Sequence, residues 1–572
     1  MKIKNITIYI ISLIFSHLQL SASDIIQVND HMFQIDHCKK LILINQKTSI
    51  INAQLDTVTT SLRLDKIYKL DCTVPEFKVG VKYILLNPQL TEYTLYFTTL
   101  PVINITSKHK ISDIALSPAI IELAENSGLY SKLSALINYR GAWTSNLPKK
   151  SFRLHFVKDT ICHEKQNVRL LGLRKDDDWN LQAMANEPLK LRGKVNNTIW
   201  SKIHRLAYHD KEPEAKSYVD MKYTELFVNG EYRGLYALSE RIDRKQLKLS
   251  EEDGGELYKA KERDLATMFT GTPEFDNSIP TWSGFFCEYP DSNWNWESLS
   301  EAVDFVINTD NHTFYEDYES VFEINNSIDY LIFINLLTAV DNTHKNIYYA
   351  RYNSSSPLTI VPWDLDCTMG LNWDGTLRNN INDLVFTKYL VRLVFNFGIN
   401  GYTEKIQKRW KELRLNTITS ELIMNLYKDS YNQLQSEGVY EREEIAWSDY
   451  HFDSEHFDYI ADWLERRLKF LDGFFDNPIP YLMGSIDYGD GINNSEIDLR
   501  INSDEITLEI VSKNPIGNST IKIYNYSGEL ALSRILKNDI ESIDISQLTT
   551  GTYLVIIDNK KSLFTRKILI NR

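Results

Sequence analysis

The stretch AVDNTHKNIYYARYNSSSPLTIVPWDLDCTMG, residues 339–370, decides how the centre of this chain folds. The segment before it, SIDYLIFINLLT at 327–338, has apolar residues at helical spacing and more on its other faces, which predicts a buried helix. A polar loop at 341–346 then leads into two β-rich runs, IYYARY and LTIVPW, which the turn NSSSP connects. We therefore expect a buried helix followed by a β-hairpin.

The two ends of this hairpin carry the most informative polar residues. Asp341 and Asn346 precede the first strand, and the second strand leads to Asp364 and Asp366. Because a hairpin returns its open ends to one edge, roughly 5 Å apart at adjacent strands, these residues should converge. Carboxylates and an amide oxygen suit Mg²⁺ or Mn²⁺, so Asn346, Asp364 and Asp366 are predicted metal ligands. Asp341 can then be spared from the metal to act as a base.

The catalytic hairpin of protein kinases has the same order of groups. There, an Asp accepts the proton of the substrate hydroxyl, an Asn five positions later helps to hold metal, and a second Asp follows the hairpin. Asp341 and Asn346 keep the five-residue step, and Asp364 takes the second position. Single Asp and Asn residues at turns are more often caps, so the prediction rests on their joint placement. A carbohydrate-active enzyme that uses Asp364 and Asp366, roughly 7 Å apart, stays open as an alternative.

A second informative block, YRGAWTSNLPKKSFRLHF, occupies residues 139–156. Arg140 opens a polar loop, and the strand that follows places Lys150 on the same face as Phe152. A lysine on an apolar face is costly to bury unless it is paired, for example with phosphate. Lys150 is therefore the predicted phosphate contact, with Lys149 second to it and otherwise on the solvated face. Arg140 is a further candidate for contacting a nucleotide.

Two shorter segments lie downstream. FVNGEYRGLYAL at 227–238 predicts a β-hairpin that turns at Asn229-Gly230. Glu240 follows it and is a candidate for contacting nucleotide or pairing with a lysine, while a plain surface charge stays equally open. Asp176-Asp177-Asp178-Trp179 predicts a loop or helix cap with one buried anchor rather than a metal cluster, since consecutive side chains point in different directions.

The body of the chain, residues 100–475, resembles the CotH kinase family, whose members have an atypical kinase-like fold. The resemblance implies ATP-dependent, Mg²⁺-assisted phosphorylation of protein hydroxyl groups, with Asp341 as the catalytic Asp, Asn346 as its companion and Asp364 as the metal-binding Asp. The segments that carry the resemblance occur in the family's order: RGAWTSNLPKKSFRLHF (140–156), LLGLRKDDDWNL (170–181), LRGK (191–194), ELFVNGEYRGLYALSERID (225–243), LYKAK (257–261), AVDNTHKNIYYAR (339–351) and VPWDLDCTMG (361–370).

The first residues, MKIKNITIYIISLIFSHLQLSAS at 1–23, have the charged, apolar and small-residue order of a secretory signal peptide. A buried helix or a membrane anchor is the alternative, although the apolar run is short for a spanning helix. We expect an exported mature chain with no transmembrane segment. The five cysteines include no CxxC pair, and a Cys38–Cys72 bridge and five free buried thiols both stay open.

The last 70 residues have alternating β-rich runs, IKIYN, TYLVIID and TRKILI, which indicate a small β-sandwich. The segment resembles the C-terminal sorting domain of the type IX secretion system of Bacteroidetes, through Asn514-Pro515, Ser527-Gly528 and Gly551-Thr552-Tyr553. The resemblance implies that the type IX machinery is a partner and that the protein is secreted or displayed on the cell surface. An ordinary adhesion sandwich is the alternative.

Taken together, the sequence predicts an α+β protein with an atypical protein-kinase-like body between an N-terminal β domain and a C-terminal β-sandwich. The formal net charge of −14 over 572 residues argues against a general nucleic-acid binder. The expected function is a secreted CotH-like protein kinase that uses ATP with Mg²⁺ or Mn²⁺ on an unidentified protein. The alternative is a non-catalytic surface protein that keeps the CotH fold. The predicted segments are a signal peptide (1–23), a small β domain (24–99), the kinase-like domain (100–475), a linker (476–502) and the sorting domain (503–572).

Overall fold

The computed structural model describes residues 25–55, 60–141, 143–161, 163–394, 402–478, 481, 497–502, 506–513, 515–525, 528–558 and 563–571. The predicted signal peptide lies outside these residues, as do most of the predicted linker, Cys162, Asn514 and Ser527. The chain divides into two compact units. The first comprises Met1–Val195, Val219–Arg241 and Asn425–His456, and the second comprises Asn196–Tyr218, Ile242–Met424 and Phe457–Arg572. None of the described helices combines the length and apolar character needed to span a membrane.

The α-helices come mostly from the middle and later parts of the chain. Their bounds are α1 Thr48–Asn52, α2 Arg192–Ile203, α3 Arg244–Leu247, α4 Glu297–Asn308, α5 Asn311–Val321, α6 Ile324–Leu337, α7 Lys388–Val394, α8 Tyr402–Asn416, α9 Ser420–Ser436, α10 Val439–Ala446 and α11 Glu455–Asp476.

The first unit begins with a seven-stranded sheet in the order β1-β4-β5-β6-β7-β3-β2. It is a mixed sheet, because β1 pairs with β4 and β3 with β7 in parallel while the other neighbours are antiparallel. One buried apolar cluster of this segment's own residues, among them Ile42, Leu62, Tyr68 and Leu95, covers the sheet. Its strands are β1 Ile25–Gln27, β2 Phe33–Asp36, β3 Leu41–Ile44, β4 Ser61–Arg63, β5 Ile67–Leu70, β6 Tyr83–Leu86 and β7 Glu92–Phe97.

The rest of the first unit's sheet structure is a two-stranded sheet, β12-β13, and a closed seven-stranded barrel in the order β10-β11-β14-β16-β15-β8-β9. Alternate residues of β11, namely Phe152, Leu154 and Phe156, are buried in the barrel's core, as the predicted strand face requires. The strands are β8 Val102–Thr106, β9 Ser117–Ala124, β10 Tyr130–Arg140, β11 Ser151–Val157, β12 Val168–Arg169, β13 Lys175–Asp176, β14 Asp178–Gln182, β15 Met221–Val228 and β16 Glu231–Ser239.

The prediction of a loop or helix cap at 176–179 is wrong. Asp178 begins strand β14, where it pairs with β11, and all three Asp side chains are buried. Arg153 forms a bidentate hydrogen bond to Asp178 at 3.0 and 2.6 Å, and Arg241 pairs with the same carboxylate. Burial acts to raise the pKa of Asp178, but these two arginines outweigh it and lower the pKa to about 2. Ion pairing therefore lets a strand hold these acidic residues.

The second unit contains a five-stranded sheet in the order β18-β19-β17-β20-β21. Strands β20 and β21 are the predicted hairpin, with Ile347 opposite Pro362 and Ala350 opposite Thr359. Helix α6 precedes the hairpin, and every residue in it except Asn325 is buried, as its apolar pattern predicts. The strands are β17 Glu256–Ala260, β18 Thr281–Trp282, β19 Phe285–Tyr289, β20 Ile347–Arg351 and β21 Thr359–Pro362.

Asn326 of helix α6 fastens the helix to the hairpin. Its amide nitrogen donates to the Ile360 carbonyl at 3.0 Å, and its amide oxygen accepts from the Ile360 N–H at 2.6 Å. Both Asn326 and Ile360 are fully buried. This reciprocal pair of hydrogen bonds fixes strand β21 against the helix and thereby sets the register of the hairpin.

The C-terminal segment forms two sheets, in the orders β22-β23-β26 and β25-β24-β27-β28. They share one apolar core, which includes Leu508 and Ile510 from the first sheet and Ile523 and Val555 from the second. The predictions of a mixed helix and sheet protein and of a C-terminal β-rich segment are confirmed. The strands are β22 Ile497–Asn502, β23 Thr507–Ser512, β24 Thr520–Asn525, β25 Leu530–Ile535, β26 Ile540–Asp544, β27 Gly551–Asp558 and β28 Leu563–Ile570.

The thiols of Cys38 and Cys72 are both free and exposed. Of the two alternatives that the sequence leaves open for this pair, the structure therefore has free thiols rather than a bridge, but the expectation that these thiols are buried is wrong.

Replacing Asn326 with Ala should destabilise the protein by about 2–4 kcal/mol, because both the Ile360 N–H and its carbonyl lose their side-chain partner in a buried environment. Urea denaturation of the mature chain measures the change. Asn325→Ala is the matched control, since it removes the same side chain from an exposed position of the same helix and should cost less than about 0.5 kcal/mol. Equal costs for the two variants would contradict the role given to Asn326.

Candidate active site

The open end of the β20–β21 hairpin brings Asn346 and Asp364 together. The Trp363 N–H donates to the Asn346 carbonyl at 2.9 Å, which extends the hairpin ladder by one bond beyond Ile347 and Pro362. On the other side, the Asn346 N–H donates to the Ala260 carbonyl of β17 at 3.2 Å. Asn346 and Asp364 therefore leave neighbouring strands at the same edge of the sheet, as the hairpin geometry predicts.

Both residues have a left-handed backbone, with φ of 58° at Asn346 and 60° at Asp364. Thr338 at the end of helix α6 and Met369 also have positive φ, at 50° and 51°. Such conformations cost energy in residues other than glycine, least in Asn and Asp and more in a β-branched residue such as Thr. Strained backbone of this kind concentrates at active sites and ligand clamps, so four such residues around one hairpin point to a functional site.

Asn342 holds the two strand ends in place. Its amide nitrogen donates to the Asn346 carbonyl at 2.8 Å and to the Trp363 carbonyl at 2.9 Å, and its own carbonyl accepts from the Tyr330 hydroxyl at 2.6 Å. Nothing in the sequence assigns a role to Asn342 beyond its place in a loop between a helix and a strand. Its burial and the pairing of its amide with the strand ends are visible only in the fold.

Asp341, the predicted base, lies in a single 3₁₀ turn at Val340–Thr343. It is partly exposed and forms an ion pair of 2.8 Å with Lys345. Burial raises the pKa of the nearby Cys367 thiol, and the negative charges of Asp366, Asp364 and Asp341 raise it further. These effects keep the thiol protonated. Asp341 directly precedes Asn342, whose amide bonds the ends of both strands, and Asp366 lies two residues beyond Asp364, so the backbone brings all three residues to the same end of the hairpin.

The segment from Asp364 to Asp366 is anchored from helix α2. The buried Asn196 amide donates to the Leu365 carbonyl at 3.1 Å and to the Thr368 hydroxyl at 2.7 Å. The Thr368 hydroxyl in turn donates to the same carbonyl at 2.8 Å. Asn196 is a second residue whose role was not predicted from the sequence. It lies two positions after the LRGK segment, which carries part of the family resemblance.

The donor set at the hairpin end fits a magnesium ion that phosphate groups help to bind. Asn346, Asp364 and Asp366 supply one amide and two carboxylate oxygens, and Mg²⁺ usually takes one or two carboxylates together with substrate phosphates and water. In the part of the chain that the structure describes, no group of three or more His, Cys, Asp and Glu side chains is arranged to hold a metal by itself.

Lys259 on strand β17 adds a positive charge beside the hairpin. Its ammonium lies 5.1 Å from the centre of the Tyr348 ring and 5.6 Å from that of Trp363, the residue before Asp364. In the sequence, Lys259 is part of the LYKAK segment, and no contact was predicted for it. Its position on a strand paired with β20 makes it a candidate for contacting an anionic substrate.

In the first unit, the structure reverses the expected burial of Lys149 and Lys150. Lys149 is buried and pairs with Glu443 of helix α10, while it also donates to the Leu235 carbonyl at 2.7 Å. Lys150 is half-buried and donates to the Ser145 carbonyl. The expectation that Lys149 is solvated is wrong, because the strand ladder begins only at Ser151 and side-chain alternation does not extend back to 149–150.

Glu443 is shared between two buried lysines. Its other oxygen accepts from the Leu235 N–H at 2.9 Å, and the Lys190 ammonium lies 3.9 Å from the oxygen that pairs with Lys149. Burial lowers the pKa of Lys190 to about 8, with the charge of Lys149 acting in the same direction. Gly234 leaves room for this carboxylate, since a Cβ there would collide with it.

The two remaining predicted nucleotide contacts also lie in the first unit. Arg140 ends strand β10 opposite Ser151. Glu240 is fully buried, so the plain surface charge left open by the sequence is wrong. Its two carboxylate oxygens accept from the Arg174 N–H at 3.0 Å and the Asp220 N–H at 3.4 Å. These bonds hold the chain around the end of β16, and a nucleotide would have to share or replace them.

Comparison with protein families agrees with this arrangement. Residues 137–471 match the model of a family described as CotH kinase protein. The chain belongs to the CotH kinase protein family. Residues 502–571 match a second model, described as a secretion system C-terminal sorting domain. No curated protein sequence matches the chain.

The CotH match includes both the hairpin and the 139–156 block, which confirms the resemblance inferred from those segments. The sorting domain confirms export, so this CotH-family protein is secreted or lies at the cell surface, and the type IX machinery is the partner of its C-terminal domain.

The stability that depends on Lys190 should rise with pH above about 8. Because the folded-state pKa of Lys190 is lowered from its ordinary 10.5, the unfolded chain binds more protons than the folded one between these values. The free energy of unfolding, measured relative to Lys190→Met, should therefore increase by about 1–2 kcal/mol between pH 8 and pH 9.5. Urea denaturation at a series of pH values checks this. Lys108→Met, at an exposed position, should show no such trend relative to the parent protein, and a flat difference for Lys190→Met would refute the assignment.

Proposed function

We propose that this protein is a protein kinase that acts on exported or surface proteins, transferring phosphate from ATP to hydroxyl groups. The observation that carries the proposal is the hairpin end, where Asn346 and Asp364 adopt left-handed backbone conformations on neighbouring strands and the amide of Asn342, which follows Asp341, bonds the ends of both strands. Membership of the CotH kinase protein family supports the same reading.

In this proposal, Asp341 orients the attacking hydroxyl and accepts its proton. The residue suits that role because it is partly exposed, and its ion pair of 2.8 Å with Lys345 holds the carboxylate in place. Asn346, Asp364 and Asp366 hold Mg²⁺, which would neutralise charge on the transferred phosphate. The chain's own contribution is positioning, since Asn342 and Asn196 fix the backbone on which these ligands lie.

In this proposal, Lys259 contacts phosphate groups beside the hairpin. For the first unit, Lys150 and Arg140 stay the predicted nucleotide contacts. Lys150 has only a backbone carbonyl as its described partner, and a neutral carbonyl competes weakly with phosphate for an ammonium group. Glu240 contributes to the nucleotide site through the loops that its carboxylate holds. Lys149 belongs instead to the buried pair with Glu443.

Transfer of labelled phosphate from ATP tests this function. The mature protein, with Mg²⁺ or Mn²⁺, should label itself or proteins of a cell-surface extract. Asp341→Asn should lower the rate by about 10²–10⁴-fold, the usual contribution of a positioned base. Asp364→Asn should abolish metal-dependent transfer while it preserves the backbone conformation, because Asn tolerates positive φ as Asp does.

Asp317→Ala is the matched control, since it removes an exposed carboxylate of the same unit from helix α5 and should leave the rate unchanged.

Thermal unfolding with and without MgATP separates nucleotide binding from phosphate transfer. A protein that neither transfers phosphate nor gains stability from MgATP would support the alternative of a non-catalytic surface protein that keeps the CotH fold.

A further inference from the structure

A cavity of about 310 Å³ opens in the first unit, where the N-terminal sheet and the barrel strands β8, β9 and β10 each contribute residues. This volume is at the small end of the range found for ligand pockets. It suits one small ring better than an extended chain. None of the groups assigned to phosphate transfer lines it.

Aromatic rings form part of the cavity wall. His31 and Tyr130 stack with their centres 4.0 Å apart and their planes at 13°, and Phe33 of strand β2 lines the cavity from the side of the N-terminal core. His31 is exposed, while Tyr130 and Phe33 are half-buried. Such faces suit a ligand with an apolar C–H surface.

The polar part of the wall is organised rather than a loose acidic cluster. Glu122 accepts hydrogen bonds from the Tyr130 hydroxyl at 2.6 Å, the Asn104 amide at 3.1 Å and Lys132 at 3.1 Å. Burial acts to raise the pKa of Glu122, but these donors outweigh it and lower the pKa below its ordinary value. The charge of Glu122 is therefore already compensated within the protein.

The other polar groups of the cavity wall together supply both hydrogen-bond donors and acceptors. Asn104, whose amide nitrogen is used by Glu122, has a buried side-chain oxygen that no donor reaches in the described part of the chain. The polar residues of the cavity wall also include Asp30, Gln34, His37 and Asp65. Amide and imidazole groups together with carboxylates match hydroxyl groups, each of which donates one hydrogen bond and accepts others.

The lining argues against other ligand classes. It contains no Lys or Arg, so a phosphate or another anion lacks a partner. No metal-binding group of His, Cys, Asp and Glu occurs among the described residues, and the compensated Glu122 weakens the case for a cation. A neutral polyhydroxyl ring with one apolar face satisfies both the aromatic and the polar walls.

We propose that this cavity binds a single neutral pyranose sugar, either free or as the terminal residue of a glycan. The sugar ring stacks on the wall that contains His31 and Tyr130, and its hydroxyl groups bond to Asp30, Asn104 and Gln34. The inference is independent of phosphate transfer, because none of these residues belongs to the hairpin site.

Saturation-transfer NMR on the full mature chain tests the proposal. The probes are D-glucose, D-galactose and D-mannose, and the methyl α-glycoside of each. At least one sugar should receive saturation from the protein. Binding of the methyl glycoside as well indicates a glycan terminus as the source, whereas binding of the reducing sugar alone indicates the free monosaccharide.

Two variants locate the binding. His31→Ala should weaken it at least about fivefold through loss of the aromatic face, and Asp30→Asn should weaken it by removing a hydroxyl acceptor. His109→Ala and Asp113→Asn are matched controls at exposed positions outside the cavity and should bind as the parent protein does. Unchanged melting temperatures establish that all four variants are folded.

Three results would overturn the proposal. The first is no saturation of any of the six sugars. The second is binding of 1,5-diaminopentane without binding of sugars, which would make the cavity a cation site. The third is sugar binding that His31→Ala and Asp30→Asn leave unchanged, which would place the sugar elsewhere on the protein.

Discussion

The hydrogen-bonded pairing of Asn326 with the Ile360 backbone is the constraint on which the candidate active site depends. Helix α6 is buried on nearly every face, so it cannot shift without opening the core of the second unit. Because Asn326 fastens strand β21 to that helix, the position of Asp364 beyond the strand follows from the packing of the helix. The loop that carries Asp364, a proposed metal ligand, is therefore positioned by a rigid helix.

The parts of the site that are local in sequence could be predicted from it. Strands β20 and β21 are joined by a short turn, so the convergence of Asn346 and Asp364 follows from hairpin geometry alone. Two adjacent lysines posed a harder problem. Which of them is buried depends on where the ladder of β11 begins and on Glu443, which comes 294 positions after Lys149. Neither fact can be read from the 139–156 block, so the alternation of side chains along the strand predicted burial for Lys150, which is only half-buried, instead of Lys149.

The fold shows the same division between local and distant information. The α6 helix, the hairpins and the C-terminal β-rich segment follow from periodicity and turn residues. The closed barrel does not, because closure depends on the pairing of β8 with β15 and of β14 with β16 across long stretches of chain. A loop or helix cap was predicted at the three consecutive Asp residues because consecutive side chains point in different directions. Arg153 and Arg241 instead supply the charge that lets Asp178 lie in a strand.

The left-handed backbone at Asn346 and Asp364 has a consequence for how relatives of this protein are interpreted. Asn and Asp tolerate positive φ better than most residues, so the backbone alone favours them at these two positions, whatever the chemistry. A diverged copy that has lost phosphate transfer can keep both residues for conformational reasons. Asp341 has no positive φ, so its side chain is free of that selection. Among relatives of this protein, the residue at position 341 should therefore distinguish active kinases from inactive copies better than Asn346 and Asp364, the two proposed metal ligands.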